Sequence, residues 1–346
     1  MINIANLLIT RRCNLACSYC RISGDIQYVT KPLEYPDRKW YLENERNSEW
    51  WLSAVRKLYA HNKDMFFILY GGEPFLRWEL LADIVNLMND LDANYTIISS
   101  CNEGIKKSIY RFFERVHHVT GFTASVDPGF FKYNETDRKK IGDDEIYKSQ
   151  TGLSTLLELM EKGLVADPVA EITADAKTVF DLEETVKILD GYGIVSDITA
   201  IDLAYNNYYD FSSITNPEHL IPKSPEIRAI FDRLKASDYK IHMKDILLDK
   251  TFDVLPANLK CGIGSSQFSN ITIEPSGHLR LCLRIRGRKT VDFSLDDLLT
   301  DDGLLTAKFD SIREAFDQDY ETLCRNCNWT CMLMSMEDNC ERVAEH

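Results

Sequence analysis

Cys13, Cys17 and Cys20 lie in Arg12-Cys13-Asn14-Leu15-Ala16-Cys17-Ser18-Tyr19-Cys20, a C-x3-C-x2-C spacing on one short stretch. Thiolates are soft ligands that select zinc and iron–sulfur clusters. Three of them on a tight loop can hold three irons of a four-iron cube and leave the fourth without a protein ligand, where cluster sites normally use four cysteines. An open iron is a place where a small molecule can bind and react. The plainer alternatives are a zinc knuckle or unligated thiols. A second group, Cys261, Cys282, Cys324, Cys327, Cys331 and Cys340, falls in the C-terminal part, and Cys101 stands alone. Clustering of this kind points to metal ligation.

Further polar residues follow short apolar runs. Phe66-Phe67-Ile68-Leu69-Tyr70 leads straight into Gly71-Gly72-Glu73-Pro74, in which the glycines allow close backbone approach to a ligand and Glu73 offers a carboxylate to an ammonium group. Ser99-Ser100-Cys101-Asn102-Glu103-Gly104 and Ala124-Ser125-Val126-Asp127-Pro128 close two more runs. Cys101 reads as a buried small residue rather than a ligand.

The elements that must position these groups alternate. Over residues 1–200, β-rich apolar runs at Leu7–Thr10, Phe66–Tyr70, Thr96–Ser99, Gly121–Ser125, Ala170–Thr173 and Asp197–Ile201 are separated by amphipathic stretches, including Trp50–Tyr59 and Leu76–Leu91. Alternation of this kind predicts βα units on a parallel sheet. Six units fit an α/β fold, a partial (β/α)6 TIM-like barrel, in which chemistry sits at the C-terminal strand ends. The expected division is a barrel over 1–202, a linker with one helix (Glu226–Lys235) over 203–260, and a cysteine-bearing extension over 261–346. Within the extension, Ile271 to Leu281 reads as a β-hairpin turning at Pro275-Ser276-Gly277.

A 346-residue chain with 45% apolar residues can bury a substantial core. The net charge of −14 argues against a nucleic-acid surface. Arg280, Arg284, Arg286, Arg288 and Lys289 form the densest basic run and read as a solvated face, with an anion or substrate contact beside the second cysteine group as the alternative. No run approaches a membrane span, and Met1–Asn6 lacks the basic start of a signal peptide. The expectation is a cytoplasmic protein that works without membrane or nucleic acid, its cysteines reduced.

The cysteine triad with an aromatic residue before its third member, followed by G-G-E-P, resembles the radical S-adenosylmethionine (SAM) enzymes. The resemblance implies that Cys13, Cys17 and Cys20 ligate a catalytic [4Fe–4S] cluster whose open iron chelates SAM. It places Tyr19, Gly71, Gly72, Glu73, Pro74, Ser99, Asn102, Ser125 and Asp127 around SAM. Where the family often has glycine after the aspartate of the fourth strand, this chain has Pro128 and then Gly129, which puts the loop geometry in question. Peptide-modifying members often use an arginine to pair the SAM carboxylate, and Lys148 is the nearest substitute.

The second group resembles the SPASM/twitch extension of these enzymes. Cys261 is followed after fifteen residues by Gly277, after four more by Cys282, and after a further 41 by Cys324-x2-Cys327. The resemblance implies at least one auxiliary [4Fe–4S] cluster on Cys261, Cys282, Cys324 and Cys327, with Cys331 and Cys340 as alternates. A Zn–S4 site is the competing reading. His278, between two of the ligating positions, reads as a surface or structural residue.

By this resemblance the chain reductively cleaves SAM to a 5′-deoxyadenosyl radical, which abstracts a hydrogen atom from the substrate. An auxiliary cluster suits an oxidative outcome, dehydrogenation or a crosslink, on a small molecule or a peptide. The short cysteine tail, and a chain beginning at the first strand, lean towards a small molecule. A maturase of ribosomally made peptides or of sulfatases is the alternative, and a non-catalytic iron–sulfur or zinc-binding regulator is the second. A flavodoxin- or ferredoxin-type donor is the expected electron source. No acid or histidine outside these motifs stands out as a general base.

Overall fold

The computed structural model describes residues 3–15, 43–129, 149–176, 178–200, 221, 224–243, 270–280, 292–297, 299–300 and 303–304. Six βα units run in chain order. The strands are β1 (Ile4–Leu8), β2 (Phe66–Tyr70), β3 (Asn94–Ser99), β4 (Phe122–Val126), β5 (Val169–Ala174) and β6 (Val195–Ala200). The helices following them are α1 (Ser48–His61), α2 (Trp78–Asp90), α3 (Lys106–Arg115), α4 (Ser149–Glu161), α5 (Leu182–Gly191) and α6 (Pro225–Lys235). After α6 come β7 (Ile241–His242), β8 (Asn270–Ile273), β9 (His278–Arg280) and β10 (Asp292–Ser294). A small hairpin, β11 (Leu299–Thr300) with β12 (Gly303–Leu304), packs on α1.

One ten-stranded sheet has the order β10-β9-β8-β1-β2-β3-β4-β5-β6-β7. Every neighbouring pair from β8 through β7 is parallel, while the β8–β9 and β9–β10 pairs are antiparallel, so that β9 alone among these strands runs against the rest. The sheet does not close, so the expected partial barrel is the observed architecture. Alternation along the strands puts Ala5, Leu7, Phe67, Leu69, Tyr95, Ile97, Ala124, Ala170 and Ile172 into the core. Helix faces complete it: Trp51, Ala54, Val55 and Leu58 of α1 are buried at i, i+3, i+4 and i+7 spacing. Asn47 starts α1 by accepting from Trp50 N–H, and Ser224 with Pro225 starts α6.

Three details differ from the sequence reading. β1 begins at Ile4 rather than Leu7, because Ile4 is in register with both Phe66 and Asn270 and the ladder forms on both sides. The stretch read as a linker contributes β7 to the sheet beside β6, a strand too short to leave a periodic signal. The expected hairpin is present, but it is an extension of the barrel sheet, since β8 pairs with β1. Its turn is closed by Gly277 N–H to Glu274 O (2.9 Å) and Glu274 N–H to His278 O (2.8 Å), with Gly277 at φ 85°. A left-handed residue after a turn is how three-residue hairpin connections fit strand twist. His278 Nδ1 lies 3.0 Å from the Ser276 hydroxyl within this turn. No helix among the described residues is long and apolar enough to cross a membrane.

Candidate functional site

The polar groups singled out in the sequence gather at the C-terminal ends of β1 to β4, which are adjacent in the sheet. Beyond β1, Ile9 N–H donates to Tyr70 O at 2.7 Å, and the chain then runs against the end of β2. Gly72 N–H donates to Thr10 O at 2.7 Å, and Glu73 N–H to Arg12 O at 2.8 Å. A Cβ on Gly71 would lie 2.5 Å from Thr10 O, and one on Gly72 only 2.2 Å from Arg12 O. The close approach that these glycines permit is therefore to the backbone leading into the cysteine loop. The base of that loop is also tied at its return. Thr10 Oγ1 donates to Glu45 Oε1 at 2.5 Å, and Glu45 forms ion pairs with Arg12 (3.4 Å) and Arg77 (3.7 Å).

Cys13 is half-buried at the end of this base, and Leu15 N–H points at its Sγ from 3.4 Å. Asn14, the next residue, exchanges hydrogen bonds with Asn102 at the end of β3: Asn14 Nδ2 donates to Asn102 Oδ1 (2.7 Å) and Asn102 Nδ2 to Asn14 Oδ1 (3.3 Å). Asn102 Nδ2 also donates to Ser100 Oγ (2.7 Å), while Asn102 Oδ1 accepts from Gly104 N–H (2.9 Å). Ser100 Oγ in turn donates to Glu73 Oε2 at 2.6 Å. A continuous polar chain thus joins the cysteine loop to the G-G-E-P segment.

Glu73 is fully buried. Its carboxylate accepts from Ser99 Oγ (2.9 Å) and Phe75 N–H (3.3 Å) on one oxygen, and from Ser100 N–H (3.1 Å) and Ser100 Oγ (2.6 Å) on the other. Two donors on each oxygen fill the acceptor positions of a carboxylate. Burial pushes its pKa above the usual carboxyl value, and the hydrogen bonds from Ser100, Ser99 and Phe75 oppose that shift. Cys101 is buried beside it at φ 52° and donates its N–H to Ser99 Oγ at 3.0 Å. Burial, and then the nearby Glu73 charge, push its thiol well above the ordinary range, so Cys101 stays protonated.

At the end of β4, Asp127 is buried and Pro128 is followed by Gly129 at φ 80°. Gly129 N–H donates to Thr185 Oγ1 (3.0 Å), and a Cβ there would meet Asp181 Oδ2 at 2.6 Å. Among the described residues of this loop the left-handed one is Gly129, one position past Pro128.

Sheet register adds residues that sequence reasoning missed. Ser125 is in register with Glu171 on β5, Glu171 with Asp197 on β6, and Asp197 with His242 on β7. Partners in register share a face, so one row beside Ser125 carries two carboxylates and an imidazole. In the sequence these residues are isolated polar positions on short strands, and no spacing connects them.

Tyr19, Cys17, Cys20, Lys148, Cys261, Cys282, Cys324, Cys327, Cys331 and Cys340 lie outside the described residues. A half-buried soft donor on a loop whose base is fixed, with a backbone N–H aimed at the sulfur, fits a thiolate-ligated cluster.

The fold is an open, mostly parallel sheet of six βα units, and the cysteine stretch follows its first strand. No protein-family model matches this sequence, and no curated protein does. Solved structures do. SuiB of Streptococcus suis, bound to S-adenosylmethionine, is similar with a TM-score of 0.58 and 13% identity over 87% of this chain and 66% of SuiB. The chain thus spans about two thirds of that protein's length. Native anSMEcpe with bound AdoMet is similar with a TM-score of 0.52 and 16% identity over 93% of this chain and 88% of that one. Its complex with AdoMet and the Cp18Cys peptide gives 0.53 and 14% over the same shares.

Proposed function

We propose that the chain is a radical SAM enzyme, with Cys13, Cys17 and Cys20 holding the catalytic [4Fe–4S] cluster. The observation that carries this reading is the polar chain from Asn14 through Asn102 and Ser100 to Glu73, which joins the cysteine loop to G-G-E-P at neighbouring strand ends. When bound, the cluster and SAM would supply a 5′-deoxyadenosyl radical for hydrogen-atom abstraction.

The chain's own residues prepare the site. Gly71 and Gly72 let the second strand end run against Thr10–Arg12, and Glu73 fixes Ser99 and Ser100 at the third. Gly71, Gly72, Glu73 and Pro74, with Tyr19, Ser99, Asn102, Ser125, Asp127 and Lys148, are the proposed surroundings of SAM. Cys261, Cys282, Cys324 and Cys327, with Cys331 or Cys340 as alternates, are the proposed ligands of an auxiliary cluster. The reaction class proposed is oxidative. The peptide-bound state of anSMEcpe, matched over most of its length, favours a peptide substrate over a small molecule.

The test is anaerobic: the purified protein and its Cys13→Ala/Cys17→Ala/Cys20→Ala variant are assayed for iron, sulfide, zinc and, after dithionite and SAM, 5′-deoxyadenosine. The wild type should form the nucleoside, and the variant should lose about four irons and all nucleoside formation. About four irons remaining in the variant would support one auxiliary cluster. Equal nucleoside formation by both proteins, or a wild type holding only zinc, sinks the reading.

A further inference from the structure

Arg11 and Glu274 form a buried ion pair. Arg11 Nε lies 2.9 Å from Glu274 Oε2 and Arg11 Nη2 lies 2.6 Å from Oε1, with side chains 5% and 0% exposed. Arg11 stands two residues before Cys13, and Glu274 opens the turn of the β8–β9 hairpin. The other end of the cysteine-bearing segment meets the same turn. Arg46 N–H donates to Pro275 O at 2.7 Å, and Arg46 Nε donates to Ser276 O at 3.0 Å. Asp296, just past β10, holds Arg46 Nη2 at 2.7 Å and Trp50 Nε1 at 2.6 Å.

The pair is not needed to register β8 on β1. Four residue partners, Ile4↔Asn270 to Leu7↔Ile273, set that register, and Asn6 Nδ2 adds a bond to Ile271 O. The ion pair lies beyond the ladder, on the cysteine side. Burying an arginine and a glutamate there has a desolvation cost that a well-packed apolar pair would avoid, so stability alone is a poor reason for it. A bidentate guanidinium–carboxylate pair does supply fixed geometry.

We propose that the turn Glu274–Gly277 seats both ends of the segment carrying Cys13, Cys17 and Cys20, with Arg11 and Glu274 as positioning residues for the cluster those cysteines hold. In the sequence the same hairpin lies between Cys261 and Cys282. The proposal rests on the radical SAM reading for its functional consequence, while the seating itself does not.

The test compares wild type with R11M, E274L and R11M/E274L. Hydrogen exchange at the amides of Arg12 to Leu15 is followed in apoprotein, and the SAM-induced change in the EPR signal of the reduced protein after reconstitution. Either single change takes one member from the buried ion pair and lowers the melting temperature. The double variant removes both members and recovers the melt. Its exchange at Arg12–Leu15 should nonetheless stay faster by roughly tenfold, and its SAM-responsive signal should fall to about half or less. Wild-type exchange and signal in a double variant that melts normally overturn the proposal. Should the double variant fail to fold, E274Q decides instead: accelerated exchange confined to this segment supports the seating, and wild-type exchange overturns it. A wild type without any SAM-responsive signal counts against the enzyme reading, and exchange alone then judges the seating.

Discussion

Glu73 takes two donors on each carboxylate oxygen while wholly buried, so its first effect is on its neighbours. Glutamine in its place presents an NH2 where one oxygen stood. The serine hydroxyls can rotate to accept from it, but Phe75 N–H and Ser100 N–H are fixed, and one of them loses its acceptor. Glu73→Gln should therefore cost about 1–3 kcal/mol of stability, read from urea melts of the apoprotein. The sign with pH follows from the raised pKa. Between the ordinary value and the higher folded one, the folded state binds more protons than the unfolded, so wild-type stability falls as pH rises through that window. The glutamine variant lacks this slope, and the gap between the two proteins should be widest in acid and narrow upwards. A gap independent of pH would show that Glu73 has no raised pKa.

At the scale of elements, the decisive contact is between the end of β2 and the continuation of β1. Gly72 is required there by packing, because a Cβ would fall 2.2 Å from a backbone oxygen. Gly72→Ala must push the G-G-E-P backbone off Arg12, breaking the Glu73 N–H bond to Arg12 O. The expected loss is about 1–3 kcal/mol, together with poor iron retention at the triad, measured by melting and by iron per chain. Unchanged melting and iron content would mean that the two segments are not so tightly apposed. The β8–β9 hairpin is the second element that matters, since its turn bonds to residues on both sides of the cysteine segment.

For the whole molecule, the C-terminal strands complete the sheet. β8 covers the edge of β1, a strand whose Ala5, Leu7 and Leu8 are buried. A chain ending at residue 260 would leave β1 as an uncovered edge and Arg11 without Glu274. Open edges invite pairing with other chains, so this truncation should be largely insoluble or elute as aggregates on size exclusion. A soluble, monomeric truncation with intact secondary structure would show that the barrel does not depend on the hairpin.

Local spacing alone determined the cysteine triad, the G-G-E-P turn, six βα units and the hairpin, because each is written within a few neighbouring residues or one helical or strand period. Strand ends then became site positions by the general rule for such barrels. Tertiary structure decided the rest. Glu73 faces serines from the next strand rather than open space, and Ser125, Glu171, Asp197 and His242 form a row only through register across four strands. Arg11 meets Glu274 across 263 positions of sequence, a pairing that depends on β8 docking beside β1. Contacts between distant segments leave no periodic trace in a single chain, since they are set by which strands lie side by side.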